Sequence, residues 1–185
     1  LFSTIPLIGG KHALVDAADF ERVSKHKWRL NQFAGRTDYA MTWIRVRYVM
    51  LHRFILDPPP GLEVDHVNRD GLDCRRGNMR LATRSQNSGN SPSRRGSTSR
   101  YKGVSWHRRD RRWVAEIMFA GRQYHLGRFS LEEEEDAALA YDAAARVLFG
   151  EFAWLNFADR ELSAEVQAAM PPAAQALLNR KEVLP

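Results

Sequence analysis

The sequence is poor in cysteine, with one residue, Cys74, among 185. That excludes an intramolecular disulfide and any zinc site built from several thiolates. No apolar run approaches the roughly 20 residues of a membrane-crossing helix, so no membrane role is expected. Leu1 to Gly10 lack the basic start and long apolar core of a signal peptide, and a cytoplasmic protein is expected. The chain starts at Leu1 rather than methionine, which fits a missing start or a non-standard start codon read literally. Acidic residues are the minority charge: 22 Asp and Glu against 28 Lys and Arg, a net +6 and a pI of about 9.8. That balance favours a polyanionic partner.

The excess is concentrated. Residues 94–128 hold ten basic side chains against Asp110 and Glu116, a net +8, more than the whole chain carries. Glu132 to Asp136 then run as five consecutive acids. Residues 87–100, NSGNSPSRRGSTSR, have a flexible linker's composition and divide the chain. Before it, Ala13-Leu14-Val15 reads as a strand leading through a cap at Asp16 into a short helix ending near Val23. Lys27–Leu30 and Tyr39–Thr42 read as further strands. The alternation of Ile44, Val46, Tyr48 and Met50 against Arg45 and Arg47 predicts one strand over 44–51, with His52 in its apolar continuation.

Residues 65–87 carry the chemistry. Leu62 to His66 reads as a strand ending in Asp65-His66, Asn68–Gly77 as a loop, and Asn78–Ala82 as a second strand. Thr83 and Gln86 match a capping box, which starts a helix at Arg84 and puts Asn87 in its first turn. Asp65 and Asn87 can then meet around one ion. Mg²⁺ takes a few protein oxygens and keeps waters and phosphate oxygens, so such a sparse set suits it. A histidine near its ordinary pKa of about 6.5 can take a proton from water, and His66 is placed to do so. Asn78 is the amide placed to fix the loop and the ring. Cys74 reads as a small loop or core residue.

Leu51-His52-Arg53, Val64-Asp65-His66-Val67-Asn68, Asp70-Gly71, Asn78 to Thr83 and Gln86-Asn87 resemble the HNH homing endonucleases of phages and mobile elements. The resemblance implies a ββα-metal fold, His66 as general base, Asp65 and Asn87 as metal ligands, and Asn78 as the loop-supporting asparagine. With asparagine in the last motif position, it implies one oxygen-ligated divalent ion, Mg²⁺ before Mn²⁺, rather than zinc.

Downstream, Lys102–Arg108, Trp113–Phe119 and Gln123–Phe129 read as three strands. Ser130 and Glu133 form a second capping box, before a helix whose Ala137, Tyr141, Ala144 and Leu148 share a face. Arg100 to Val104, Trp113 to Ile117, Leu126 to Phe129, Ala140-Tyr141-Asp142 and Leu155-Asn156-Phe157 resemble the AP-two (Apetala-two, ethylene-response-factor) DNA-binding domain. That likeness implies a sheet face reading the major groove through Lys102, Ser105, His107, Glu116, Met118, Gln123, His125 and Arg128. Arg108, Arg109, Arg111 and Arg112 would contact phosphates, as would Arg94 and Arg95 in the linker. Four of the reading positions, Ser105, His107, Met118 and His125, differ from the plant pattern, so the plant target is not implied. Trp106 and Trp113 read as core.

The expectation is therefore an α+β protein. It has a β-rich region over 1–50, an HNH nuclease core over 51–90, a basic linker over 91–100, a three-stranded sheet plus helix over 101–158 and a tail over 159–185. The expected partner is double-stranded DNA, in a bacterial or phage-infected cell, with a monomer favoured. The rival reading is a non-catalytic DNA-binding transcriptional regulator. In the tail, 162–170 and 173–178 are candidate helices to cap the second domain or meet a partner.

Overall fold

The computed structural model describes residues 1–32, 37–93 and 96–179. They fall into two units, Leu1–Asn87 and a second beginning at Ser88. Both mix helices with small antiparallel sheets, an α+β composition. No helix among the described residues is long and apolar enough to cross a membrane.

In the first unit, β1 (Phe2–Pro6) and β2 (His12–Asp16) form a hairpin, and α1 (Ala17–Ser24) follows directly. β3 (Arg29–Asn31), β4 (Tyr39–Ile44) and β5 (Arg47–Met50) form a second sheet in that order. α2 (Leu51–Leu56) leads to β6 (Glu63–His66), which pairs with β7 (Met79–Ala82). α3 (Arg84–Gly89) ends this series. Ile5, Val15, Val23, Trp28, Leu51, Ile55, Cys74 and Met79 share one core, so the strands before residue 50 and the elements after it are built on the same buried cluster. Trp28 is buried because its indole nitrogen has a partner, the carbonyl of Val23 at 2.9 Å.

The single strand expected over 44–51 is instead a turn and half a hairpin. Arg45 takes a left-handed φ of 56°, the chain reverses at Arg45-Val46, and Trp43 then faces Tyr48 across the ladder. Alternation of period two is the same in one long strand and in two arms of a tight hairpin, so the pattern alone does not show the break. His52 accordingly lies on α2, not on a strand.

In the second unit, β8 (Val104–His107), β9 (Arg112–Phe119) and β10 (Arg122–Phe129) form a meander, and α4 (Glu134–Phe149) lies against all three. The alanines Ala137, Ala140, Ala144 and Ala145 are buried and bring the helix backbone close to the sheet. Gly103 has a φ of 76°, and a Cβ there would sit 1.9 Å from the Tyr141 ring, so only glycine fits. Asp142, fully buried on α4, accepts from the backbone of Asn156 and Phe157 and from the Asn156 amide. Asn156 in turn brackets Lys102, accepting from its N–H and donating to its carbonyl. The Tyr-Asp and Leu-Asn-Phe segments are thus two ends of one latch. α5 (Ala164–Ala169) and α6 (Pro172–Leu178) pack on this unit through Met170, Ala174 and Leu177.

The segment expected to be an open linker is pinned where it is described. Ser97 donates to the carbonyl of Val104, Thr98 accepts from the N–H of Trp106, and Ser99 donates to Glu134. The first two bonds run along the outer edge of β8 and satisfy groups an edge strand leaves open, and the third ties the segment to α4.

Candidate active site and nucleic-acid interface

Asp65 and His66 end β6 and both are buried. The ladder sets Asp65 opposite Arg80, whose Nε donates to Asp65 Oδ2 at 2.8 Å. His66 is 4% exposed, among the rings of Tyr39 and His52, at centroid distances of 5.9 and 5.2 Å. Its Nε2 lies 3.9 Å from Cys74 Sγ, and that thiol also donates to the carbonyl of Gly71. Burial lowers the His66 pKa, against the pull of Asp65, Asp70 and Asp73, so the ring favours its neutral form. Burial lowers His52 further, to about 3, and raises the Cys74 thiol to about 12.

The loop between the strands is held by its own polar side chains. Asn78 Nδ2 donates to Asn68 Oδ1 and to the carbonyl of Asp73, and Asn78 Oδ1 accepts from the N–H of Asn68. Asn68 donates to the buried Asp73, which also takes Arg75 at 2.6 Å. The loop is also stitched to the rest of the unit. Leu14 donates its N–H to the carbonyl of Leu72 and accepts from the N–H of Cys74, and Arg76 reaches Asp19 on α1 at 2.7 and 2.9 Å. The Arg76 bond, ahead of that from Arg22, lowers the Asp19 pKa.

Thr83 and Gln86 complete the capping box reciprocally, at 3.2 and 2.8 Å, and start α3 at Arg84. Asn87 then points its amide nitrogen at Glu63 Oε2. That bond fixes which end of the amide is nitrogen and which is oxygen. Among the described residues, no group of three or more His, Cys, Asp or Glu side chains is placed to hold a metal. The hard oxygen donors in this part of the unit are Glu63 and Asp65, two apart on β6, and Asn87 on α3, which is bonded to Glu63. Few, hard donors of this kind suit Mg²⁺ and leave room for phosphate oxygens.

In the second unit, the register slips between His125 and Gly127. This β-bulge inserts one residue, so Arg128 emerges on the same face as His125 and Gln123 although the spacing is odd. That face also carries Ser105, His107, Arg112, Glu116 and Met118, the last 57% exposed. Gln123 donates to Glu116, and Arg128 and His107 both pair with Asp110. Arg108, Arg109 and Arg111 are exposed on the turn between β8 and β9, where Arg111 has a left-handed φ of 52°. The opposite face, Ala115, Ile117 and Phe119, is buried under α4, and Trp113 meets Trp106 edge-on at 4.9 Å.

A profile of the HNH endonucleases matches residues 57–88, and one of the AP2 domain matches 99–151. An uncharacterized HNH endonuclease of Acanthamoeba polyphaga mimivirus is 32% identical over 156 residues, 81% of this chain and 77% of that protein. The chain belongs to the HNH endonuclease family. Protein 3.8 of Escherichia phage T7 is 32% identical over 95 residues, 51% of this chain and 76% of that protein. The dehydration-responsive element-binding protein 2D of Arabidopsis thaliana is 41% identical over 75 residues, 40% of this chain and 35% of that protein. No solved structure matches significantly.

The HNH segment thus covers Asp65, His66, Asn78 and Asn87, and the AP2 domain covers the basic sheet. One expected DNA contact is placed elsewhere. Lys102 turns inward, gives its ammonium to the carbonyls of Ser88 and Gly89, and has its pKa lowered to about 8 by burial. Its role here is to tie the start of the AP2 unit together. Arg94 and Arg95 lie outside the described residues. Sequence reasoning passed over Glu63, Arg80 and Tyr39. Glu63 had a signal, since it precedes Asp65 by two and shares its strand face. Arg80 required the ladder register. Tyr39 had none, being brought to His66 from another sheet.

Proposed function

We propose that this chain is a metal-dependent, homing-type endonuclease that hydrolyses phosphodiester bonds in double-stranded DNA and is targeted by its AP2 sheet. The observation that carries the reading is Asp65-His66 at the end of β6, with Asn87 on α3 bonded to Glu63 of the same strand and the intervening loop held by Asn78. The order strand, loop, strand, helix supports a ββα-metal reading. Asp65 and Asn87 would hold the divalent ion, Mg²⁺ or alternatively Mn²⁺. Once bound, that ion polarises the scissile phosphate and offsets charge on the leaving oxygen.

His66 is the general base. Its Nε2 lies beside the Cys74 thiol, whose hydrogen is directed at the Gly71 carbonyl. Burial supports the role by keeping the ring neutral near pH 7. Asn78 positions the loop and touches no reacting atom. Asn87 is oriented by Glu63. Arg80 balances Asp65 before the ion arrives.

On the AP2 unit, Ser105, His107, Arg112, Glu116, Met118, Gln123, His125 and Arg128 meet base edges and backbone in the major groove. Arg108, Arg109 and Arg111, with Arg94 and Arg95, neutralise phosphates. Incubation of supercoiled plasmid with the full chain tests the reading. Nicked or linear product is expected with Mg²⁺ or Mn²⁺ and none with chelator. DNA binding without cutting under both ions would leave a DNA-binding regulator instead.

A further inference from the structure

We propose that the β4–β5 hairpin of the nuclease unit is a second DNA-reading surface, laid along the duplex beside the cleaved bond. The inference rests on the nuclease reading above and deepens it.

The hairpin has an outward face that no described residue of its unit covers. Trp43 and Tyr48 stand directly opposite each other across the ladder, in edge contact at 4.7 Å, and each is 57% exposed. Val46 at the tip is 85% exposed. Burying such rings inside the unit would have gained stability, so their exposure marks a surface awaiting a partner. The pair is separate from the core, which lies under the opposite face through Ala40 and Thr42.

Two observations identify that partner. The first is continuity with the catalytic histidine. Tyr39 and Trp43 are four apart on β4 and share a face, and Tyr39 is the residue whose ring lies against His66. The face therefore starts at the general base and runs outward to Trp43 and Tyr48. At about 3.4 Å per residue the distance is roughly 13 Å, which is about four base-pair steps of duplex. DNA lying with a phosphate at His66 meets the hairpin within half a turn. The second is charge. Residues 39–56 carry Arg45, Arg47 and Arg53 and no Asp or Glu. Arg45 and Arg47 flank the exposed tip, where phosphates would be reached. A two-stranded ribbon is also the size of element that enters a major groove.

The hairpin would thus fix the distance between the cut and a short read sequence, independently of the AP2 sheet. Its aromatic pair makes apolar contacts to base edges, such as thymine methyls, and its arginines grip the flanking backbone.

The test uses the full-length protein and a pool of duplexes randomised around one cleavage position, with cut products sequenced and bound duplex footprinted. Wild type is expected to show base preference and protection about three to five pairs to one side of the cut. Trp43→Ala/Tyr48→Ala should erase that preference while keeping the preference set by the AP2 sheet. Arg45→Ala/Arg47→Ala should shorten the footprint on that side and reduce the salt slope of binding by about two, one per phosphate contact. All four side chains are exposed, and a thermal melt matching wild type establishes that each variant is folded. Unchanged preference, footprint and salt slope in both folded variants would overturn the proposal and leave the nuclease reading standing. A wild-type protein that binds this pool but cuts none of it sinks the nuclease reading, and the footprint of the arginine variant still decides the hairpin. If the aromatic variant instead converts a dimer to a monomer with an unchanged footprint, the face belongs to a second copy and the proposal fails.

Discussion

The ring of His52 stands edge-on to the ring of His66, with centroids 5.2 Å apart at 87°. His52 Nδ1 is buried with no hydrogen-bond partner among the described residues, so the ring serves His66 by shape. His52→Ala opens space beside His66, the proposed base, and displacement of a catalytic group by about 1 Å can cost roughly a hundredfold in rate. We expect kcat to fall by about ten- to a hundredfold, with the DNA Kd within about twofold. His52→Phe should restore most of the rate. A loss in binding with kcat unchanged would contradict the assignment.

The same residue sets an acid limit on stability. Folded, His52 titrates at about 3; unfolded, it takes up a proton near 6.5. Between those values the unfolded chain binds the extra proton, so stability is fully present above about pH 6.5 and declines as pH falls. The slope from one such group is at most about 1.4 kcal/mol per pH unit. His66, also lowered by burial, acts in the same direction. Melting His52→Phe from pH 7 to pH 4 should show a shallower decline than wild type. Parallel curves would mean that His52 is not held neutral.

Much of this site was legible in the sequence. The Thr83 capping box located α3 and so Asn87, because two reciprocal bonds over three residues are a local matter. Asp65-His66 at a strand end and the polar loop to Asn78 were likewise local. The partners that tune the site were not. Tyr39 arrives from another sheet and Arg80 from across a ladder. The hairpin at Arg45 was read as one strand because both carry the same alternation. Lys102 was read as a DNA contact from its place in a motif, whereas burial against Ser88 and Gly89 is set by tertiary packing.

Arg76 carries a structural load that its loop position conceals. It meets the buried Asp19, the Ile55 carbonyl and, through its backbone N–H, Asp16. Arg76→Ala leaves Asp19 buried with Arg22 as its remaining charged partner among the described residues. A cost of about 1–3 kcal/mol is expected, less than for a fully buried pair because the Arg76 side chain is half exposed, measured by denaturant melts. Arg76→Ala/Asp19→Asn should recover part of it. A loss below about 0.5 kcal/mol for the single variant would show that the pair is not a strut.

Gly103→Ala tests the AP2 latch. The new methyl would sit within the Tyr141 ring at a positive φ, and destabilisation of more than about 3 kcal/mol is expected. Loss of DNA binding should follow. A variant that melts as wild type would mean that the helix can stand further from the sheet.

The most direct measurement is single-turnover cleavage of plasmid DNA by wild type and His66→Ala, with binding followed on the same samples. The account predicts that His66→Ala binds DNA as wild type does and cuts at least about a hundredfold more slowly. Equal cutting by the two proteins would contradict it.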